Sequence, residues 1–292
     1  MNEVSVNEGN PHPLIDLLPH YSLTTLESRL SSFVIMTREP HSYRVEAVVL
    51  RHSNWGEADR LLGLFTREKG KLRAIAKGAR KIRSRKAGHL EPFTRVALML
   101  ARARDLPIVT QAETLDAYLP LREDLEKTGY AAYVIELLDR FTYEEGENQP
   151  LYKLLVETLS HLVSSPSAWL PVRYYEVQLL DLLGFRPELS NCTNCHEEIQ
   201  PQDQFFSAET GGVLCPRCGE GRPGARPVSM EALKYFRHFQ RSAYPQASRA
   251  RPSPAIQAEL EALLQYYLTY LLERGLNSPA FIREVQRTSG QS

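Results

Sequence analysis

The sequence predicts an α+β protein of several domains, with a small N-terminal β-barrel followed by an α-helical domain that carries an inserted four-cysteine module. Five short segments within 43–118 alternate apolar and polar side chains, as strands with one buried face do. Beyond residue 119, apolar side chains recur at helical spacing, and all four cysteines lie within 192–218. We therefore expect a poorly structured extension at 1–41, a barrel domain at 42–118, a helical domain at 119–190 and 221–286, and a metal module at 191–220.

The composition is that of a soluble globular protein, with 42% hydrophobic and 24% charged residues in a chain of 292, which is long enough for two or three domains. No apolar run approaches the roughly 20 residues of a membrane helix. The N-terminus lacks the basic and apolar regions of a secretory signal, so the clustered cysteines indicate a reducing cytoplasm. Residues 1–41 show little periodicity apart from a weak apolar pattern in 23–35, and we hypothesise that Met36 or a nearby codon is the physiological start. N-terminal sequencing of the native protein tests this.

The barrel prediction depends on the order and spacing of the strands. The alternating segments are 43–50, 60–66, 72–78, 93–102 and 107–118. Turns are predicted at 54–59 and 68–71, and Gly63 is a candidate for a bulge or bend. One long connection follows the third strand. This arrangement favours a closed barrel of the OB type, with an SH3-like barrel as the main rival.

Five helices are predicted after the barrel, at 121–141, 150–163, 167–184, 229–242 and 253–275. Their boundaries rest on Pro150 in a first turn, Gly184 after a last turn, Ser229 and Ser253 as N-caps, and Gly275 as a stop. Leucine and tyrosine stripes on these helices, which include Leu125, are expected in the core. Residues 242–254 are expected to form a flexible basic loop.

The cysteines form two C-x2-C pairs, Cys192/Cys195 and Cys215/Cys218, separated by 19 residues. This spacing is typical of zinc sites. Four thiolates complete a closed tetrahedron at about 2.3 Å from the ion, so we expect one structural Zn²⁺ that stabilises a segment with little core of its own. Residues 205–215 are expected to form two short strands around a turn at Gly211-Gly212, as in zinc ribbons.

Catalytic patterns are weak, and we expect no enzyme. His196-Glu197-Glu198 followed by the second cysteine pair is similar to a zinc deaminase signature, but Leu214 stands where that pattern has proline. The four-cysteine set also accounts for every thiol. Gly70-Lys71 is followed by Leu72, so there is no P-loop, and neither H-E-x-x-H nor G-x-S-x-G occurs. Glu57 and Asp59 are expected to be hydrogen-bonding groups of a turn.

The neutral net charge hides two oppositely charged regions. Residues 67–95 have a net charge of +9, and 113–190 have −8. Residues 77–86, called the basic segment below, contain six cations and no acid. Cations neutralise phosphates, and OB barrels add aromatic groups that stack on bases. Trp55 is a nearby aromatic, whereas Phe65 and Phe93 are expected in the barrel core. A solvated loop is the alternative. The predicted phosphate contacts are Lys71, Lys77, Arg80, Lys81, Arg83, Arg85 and Lys86.

Several local motifs resemble those of the bacterial RecO recombination mediators. The matching stretches are EAVVL at 46–50, GEADRL at 56–61, GK at 70–71, KGARK at 77–81, LEPFT at 90–94, PLREDL at 120–125, LLGFRPEL at 182–189 and both cysteine pairs. The resemblance spans about residues 42–285 and leaves out 1–41. It implies an OB domain, a helical domain and, with the cysteines, a zinc module.

The resemblance also implies a function. Such a protein binds single- and double-stranded DNA, anneals complementary strands and helps to load RecA onto DNA coated with single-stranded-DNA-binding protein. RecR and the acidic, apolar C-terminal tail of the coating protein are the implied partners, and the protein is expected at the nucleoid. No local motif fixes the tail pocket, for which residues 241–251 are the best guess. An RNA-binding OB-fold protein and a zinc-containing protein-interaction scaffold remain alternatives.

Overall fold

The computed structural model describes residues 41–143, 146–272 and 282 of the chain. The expectations for the extension at 1–41 (its last residue apart), for Met36 as a start and for Gly275 as a helix stop lie outside these residues. Within them the strands are β1 Ser42–Trp55, β2 Asp59–Thr66, β3 Gly70–Ala76, β4 Arg95–Ala101, β5 Ile108–Asp116, β6 Gln204–Ser207, β7 Gly212–Leu214 and β8 Arg226–Val228. The helices are α1 Pro120–Glu123, α2 Leu125–Phe141, α3 Gln149–Ser164, α4 Trp169–Leu182, α5 Pro216–Gly219, α6 Met230–Arg241, α7 Tyr244–Ala247 and α8 Pro254–Leu272.

The first five strands form a closed barrel in the order β1-β2-β3-β5-β4, which confirms the OB-type prediction. Neighbouring strands are antiparallel except for the parallel closure of β3 on β5, where Ile75 pairs with Ile108. The backbone N–H of Ile75 donates to the carbonyl of Pro107 at 2.9 Å. The long connection after β3 contains the basic segment and a short 3-10 turn at Ala87–His89.

Strand β1 is longer than predicted and is buried on both faces. Val45, Ala47 and Val49 lie in the barrel core, whereas Val48 and Leu50 join the core of the helices. Phe65 and Phe93, which were expected in the barrel core, also contact the core of the helices, because they lie on the outer side of the barrel. The unbroken apolar run therefore reflects two hydrophobic environments rather than one. Because the strand continues to Trp55, the predicted turn at 54–59 shortens to the three residues between β1 and β2.

A bulge interrupts the pairing of β1 with β2. The register shifts between Val49 and Arg51, so Leu50 is the extra residue. The prediction placed the irregularity at Gly63, which instead lies opposite Arg51 on the unbroken strand. A Cβ atom at Gly63 would lie 3.0 Å from Arg51 Cγ, so glycine leaves the space that the arginine side chain occupies.

The helices follow the prediction with two corrections. Residues 121–141 form two helices and not one, because Asp124 is extended and its Oδ1 accepts hydrogen bonds from the N–H groups of Glu126 and Lys127 at 2.9 and 3.1 Å. Asp124 is thus the N-cap of α2. Leu125, expected in the core, is the first residue of that helix and is exposed.

The loop at 242–254 is not free, so the prediction of a flexible loop is wrong there. Helix α7 begins in it, and Ala247 is completely buried. The ring of Tyr244 stacks on that of His161 in α3, with centroids 3.5 Å apart and planes 8° apart. Aromatic stacking and burial therefore fix this segment on the helical domain.

The other helix ends agree with the sequence signals. Pro150 lies in the first turn of α3, and Ser229 caps α6 by accepting from the N–H of Ala232 at 3.1 Å. Gly184, at φ 81°, follows α4, where Phe185 N–H donates to the Leu180 carbonyl at 2.8 Å. The leucine and tyrosine stripes of these helices share one core with the cysteine module. Within the described ranges, no helix is both long and apolar enough to cross a membrane.

Candidate metal centre and nucleic-acid interface

The four cysteine side chains meet at one point. The sulfur atoms of Cys192, Cys195, Cys215 and Cys218 all lie within 4.8 Å of one another. Two tight turns aim them there, since His196 N–H donates to the Cys192 carbonyl and Cys218 N–H donates to the Cys215 carbonyl, each at 2.9 Å. Four sulfur ligands at this separation fit a tetrahedral metal site closed to water. The spacing predicted that these four side chains would lie close together, as they do.

The strands of the module hold the second turn in place. Strands β6 and β7 form the predicted hairpin, and Cys215 follows Leu214, the last residue of β7. Gly219 ends α5 against Phe205, whose Cβ would lie 2.4 Å from a Cβ at position 219. Only glycine allows this approach, so side-chain packing fixes this part of the module.

Hydrogen-bond donors around the cluster favour a thiolate at Cys192. The N–H of Cys215 donates to Cys192 Sγ, and Asn194 Nδ2 donates to Cys218 Sγ, both at 3.4 Å. Burial opposes ionisation of Cys192, but the backbone N–H groups of Cys195, Cys215 and Asn194 outweigh it and lower its pKa to about 6, whereas burial raises the pKa of Cys215 to about 12. A thiolate is the form that binds a metal.

The deaminase alternative finds no support at this site. His196 is not part of the cluster. Glu197, the candidate acid–base group, accepts a hydrogen bond from Arg217 at 3.0 Å and pairs with it at the surface. With four sulfur ligands around one point, no position remains for an activated water.

The basic segment is ordered and tied to the barrel. Gly78, at φ 65°, turns the chain after β3, and its N–H donates to Asp59 Oδ1 at 2.7 Å. Ala79 is buried in the barrel core. The N–H of Arg80 donates to the carbonyl of Ala58 at 2.9 Å. The β1–β2 turn and the start of β2 therefore support the segment. The Asp59 carboxylate forms a hydrogen bond, but with Gly78 of the basic segment and not within its own turn as predicted.

Most cations of the basic segment face solvent without an acidic partner. Arg80 Nη1 donates to the carbonyl of Glu57 at 3.1 Å, which uses one of its five donor hydrogens. Within the part of the chain that the structure describes, no carboxylate pairs with the exposed side chains of Lys77, Arg80, Lys81, Arg83 and Arg85. These five exposed side chains form a surface, called the cationic surface below, on a segment whose backbone is anchored at Gly78 and Arg80.

Two of the seven predicted phosphate contacts, Lys71 and Lys86, are partly buried and bind groups of the protein. Lys71 Nζ lies 2.7 Å from Asp139 Oδ1 and donates to the carbonyl of Thr142 at 3.1 Å, and its side chain is only 14% exposed. It joins the barrel to α2. Lys86 Nζ donates to the carbonyl of Val109 at 3.0 Å and is half-buried. Neither side chain belongs to the cationic surface.

A substitution separates the two roles. Lys71→Met is expected to lower the free energy of unfolding by about 1–3 kcal/mol, because it leaves the half-buried Asp139 with a weaker set of partners. The DNA affinity of the variant should stay within about twofold of that of the unchanged protein, since Lys71 is not part of the cationic surface. Chemical denaturation and anisotropy titration with labelled DNA measure both quantities. A large loss of DNA affinity without loss of stability would instead indicate that Lys71 contacts DNA.

A groove lies between α6 and the segment that contains α7. The groove has a volume of about 860 Å³ and is lined by Met230, Glu231, Lys234, Tyr235, His238, Gln246, Arg249, Ala250 and Arg251. One wall consists of residues within 241–251, the stretch predicted for the tail pocket, and the other wall is the outer face of the amphipathic helix α6. A sequence alone does not distinguish such a face from an ordinary solvated one.

Comparisons with known proteins agree across both halves of the chain. The family model described as the N terminal of recombination protein O matches residues 40–118, and the model of its C terminal matches 122–280. A Roseiflexus protein named DNA repair protein RecO is 44% identical over 250 residues, which cover 85% of this chain and 88% of that one. Proteins of the same name from Desulforudis audaxviator and Dehalococcoides mccartyi are 39% and 35% identical, covering 83% and 81% of this chain and 97% and 93% of theirs.

Proposed function

This chain belongs to the RecO family of DNA repair proteins, and from that premise we propose that it is a non-enzymatic recombination mediator. It binds single- and double-stranded DNA, anneals complementary strands and assists RecA loading on DNA coated with single-stranded-DNA-binding protein. The observation that carries the proposal is the cationic surface of five exposed side chains in the basic segment. None of them pairs with a carboxylate among the described residues.

Cations on a rigid support suit this task physically. Two DNA strands repel each other, and lysine or arginine side chains screen that repulsion while condensed counterions are released. The hydrogen bonds of Gly78 and Arg80 to the β1–β2 turn hold the segment before DNA arrives, which reduces the entropy lost on binding. The reaction needs no bond cleavage, which is consistent with a sequence that contains no P-loop.

Anisotropy titration with single-stranded DNA, duplex DNA and RNA of the same sequence tests the proposal. We expect binding to both DNA forms that weakens steeply as salt rises. Equal affinity for RNA together with no strand annealing would favour the RNA-binding alternative. Absence of binding to all three nucleic acids would favour the protein-interaction scaffold.

We propose that the four cysteines hold one structural Zn²⁺. Their sulfur atoms fit the ligand set and the closed geometry that zinc takes in proteins. The ion would supply folding energy to the module and would take no part in contact with DNA. RecR and, indirectly, RecA are the proposed protein partners at the nucleoid, and co-purification with RecR tests the first.

The groove between α6 and α7 is the proposed site for the acidic, apolar tail of the coating protein. Lys234 and Arg249 are exposed on its two walls and have no carboxylate partner within the described ranges. Arg251 Nη1 is held by the carbonyls of Ser248 and Ala250, each at 2.8 Å. Met230, Tyr235 and Ala250 add apolar contacts. The groove thus combines the positive charge and the apolar surface that complement such a tail.

Reversing the charge of both walls tests this site. Lys234→Glu with Arg249→Glu is expected to weaken the binding of a synthetic acidic tail peptide roughly 10-fold or more, since two attractive charges become repulsive. Lys153→Glu, an exposed lysine on α3 outside the groove, is the matched control and should leave peptide affinity unchanged. Calorimetric titration measures all three proteins. Peptide affinity that survives the double change would move the tail elsewhere.

A further inference from the structure

Trp55 is a large aromatic side chain that the fold leaves open. It is 49% exposed at the end of β1, although burial of an indole is among the larger hydrophobic contributions to folding. The chain's other tryptophan, Trp169, is only 9% exposed. The exposed ring is therefore a feature of this position.

The register of β1 and β2 places the ring beside the basic segment. Trp55 and Asp59 are directly opposite in the antiparallel ladder, and opposite residues project to the same face. The Asp59 carboxylate on that face accepts the hydrogen bond of Gly78 N–H at 2.7 Å. Residues next to Trp55 are also held, because Arg80 Nη1 lies 3.4 and 3.1 Å from the carbonyls of Gly56 and Glu57. The ring therefore lies on the side against which the basic segment packs.

Charge defines what this surface accepts. Lys77, Arg80 and Lys81 stand around the supported turn without carboxylate partners among the described residues. Any polyanion can pair with those charges. Only a polyanion with exposed aromatic rings can also stack on the indole. Unpaired nucleobases provide such rings, whereas the bases of a duplex are already stacked on one another.

We propose that Trp55 stacks on an unpaired base of a strand whose phosphates are held by the basic segment, so that it determines the preference for single-stranded over duplex DNA. The proposal rests on the proposed DNA-binding function and names a residue that discriminates between its two substrates. Stacking of one base on an aromatic side chain corresponds to roughly 5- to 150-fold in affinity. The loss should fall on single strands alone.

Substitution of Trp55 tests the preference. Trp55→Ala is expected to weaken binding of oligo(dT) at least about 5-fold and to leave duplex affinity within about twofold. Trp55→Phe keeps a stacking ring and should retain most of the affinity for oligo(dT). An equal loss for single strands and duplex, or no loss for either, would overturn the proposal. So would unchanged DNA binding together with lost binding of a protein partner such as RecR.

Fluorescence tests the same contact without changing residue 55. Trp169→Phe leaves Trp55 as the one fluorophore of its kind in the chain, and it removes no hydrogen bond recorded for the described residues, because Trp169 Nε1 has no such partner. Oligo(dT) should quench this emission, and duplex DNA should not. Unquenched emission at saturating oligo(dT) would contradict stacking. If the protein binds neither oligo(dT) nor duplex DNA, the proposed function fails as well. If it binds oligo(dT) with unchanged emission, only the role of Trp55 fails.

Discussion

Changing Arg80, Lys81 and Arg83 together to glutamate is expected to weaken DNA binding roughly 100-fold for every sequence tested. Each of these cations neutralises a phosphate in our account, and reversal replaces attraction with repulsion at three positions on one ordered segment. The logarithm of affinity should also depend less steeply on the logarithm of salt concentration, with a slope smaller by about 2 for single strands. Anisotropy titrations at several salt concentrations measure both effects.

A matched variant controls for net charge. Lys153, Lys234 and Arg249 are exposed cations outside the basic segment, and their reversal to glutamate changes the charge of the protein by the same amount. We expect this control to lose much less DNA affinity. Equal losses in both variants would show a diffuse electrostatic effect, and unchanged binding of the first variant at physiological salt would end the claim that the basic segment contacts phosphates.

The second large effect concerns the metal centre. Native protein is expected to contain about one zinc ion per chain, and Cys192→Ser with Cys215→Ser is expected to remove it, because one ligand is lost from each pair. Phe206, Val213 and Leu214 of the module lie in the same core as the helices. Loss of the metal should therefore lower the free energy of unfolding of the whole helical domain by several kcal/mol, and its thermal midpoint should fall accordingly.

His196→Ala is the control for this experiment, since His196 adjoins the cluster without belonging to it. Its metal content should equal that of the unchanged protein. Elemental analysis and thermal unfolding report the two quantities. Native protein purified without metal, or a double serine variant that keeps a full complement of zinc, would contradict a four-cysteine zinc site.

The sequence predicted those features that depend on local pattern. Alternation located the barrel strands, and the two C-x2-C pairs identified the complete sulfur cluster. Long-range partners were beyond it. Lys71 looks like any other cation of its region, and only the fold shows that it meets Asp139, which lies 68 residues away. Asp124 likewise reads as part of a continuous helix until its backbone is seen to be extended.

The basic segment shows the same division in a functional site. Six cations within 77–86 indicated a polyanion contact, but they did not reveal which side chains are free. The hydrogen bonds in the fold show that Lys86 binds a backbone carbonyl and that Arg80 is partly engaged, on a segment anchored at Gly78. The role of Asp59 as a support for the segment also requires the fold, because its partner Gly78 lies 19 residues further along the chain, after β3.

Strand annealing is the most direct measurement of the central claim. Complementary strands coated with single-stranded-DNA-binding protein are mixed with the unchanged protein or with the variant carrying Arg80→Glu, Lys81→Glu and Arg83→Glu, and duplex formation is followed by the fluorescence of labelled strands. The account predicts rapid annealing by the unchanged protein and a rate close to the protein-free background for the variant. Equal annealing rates for the two proteins would contradict it.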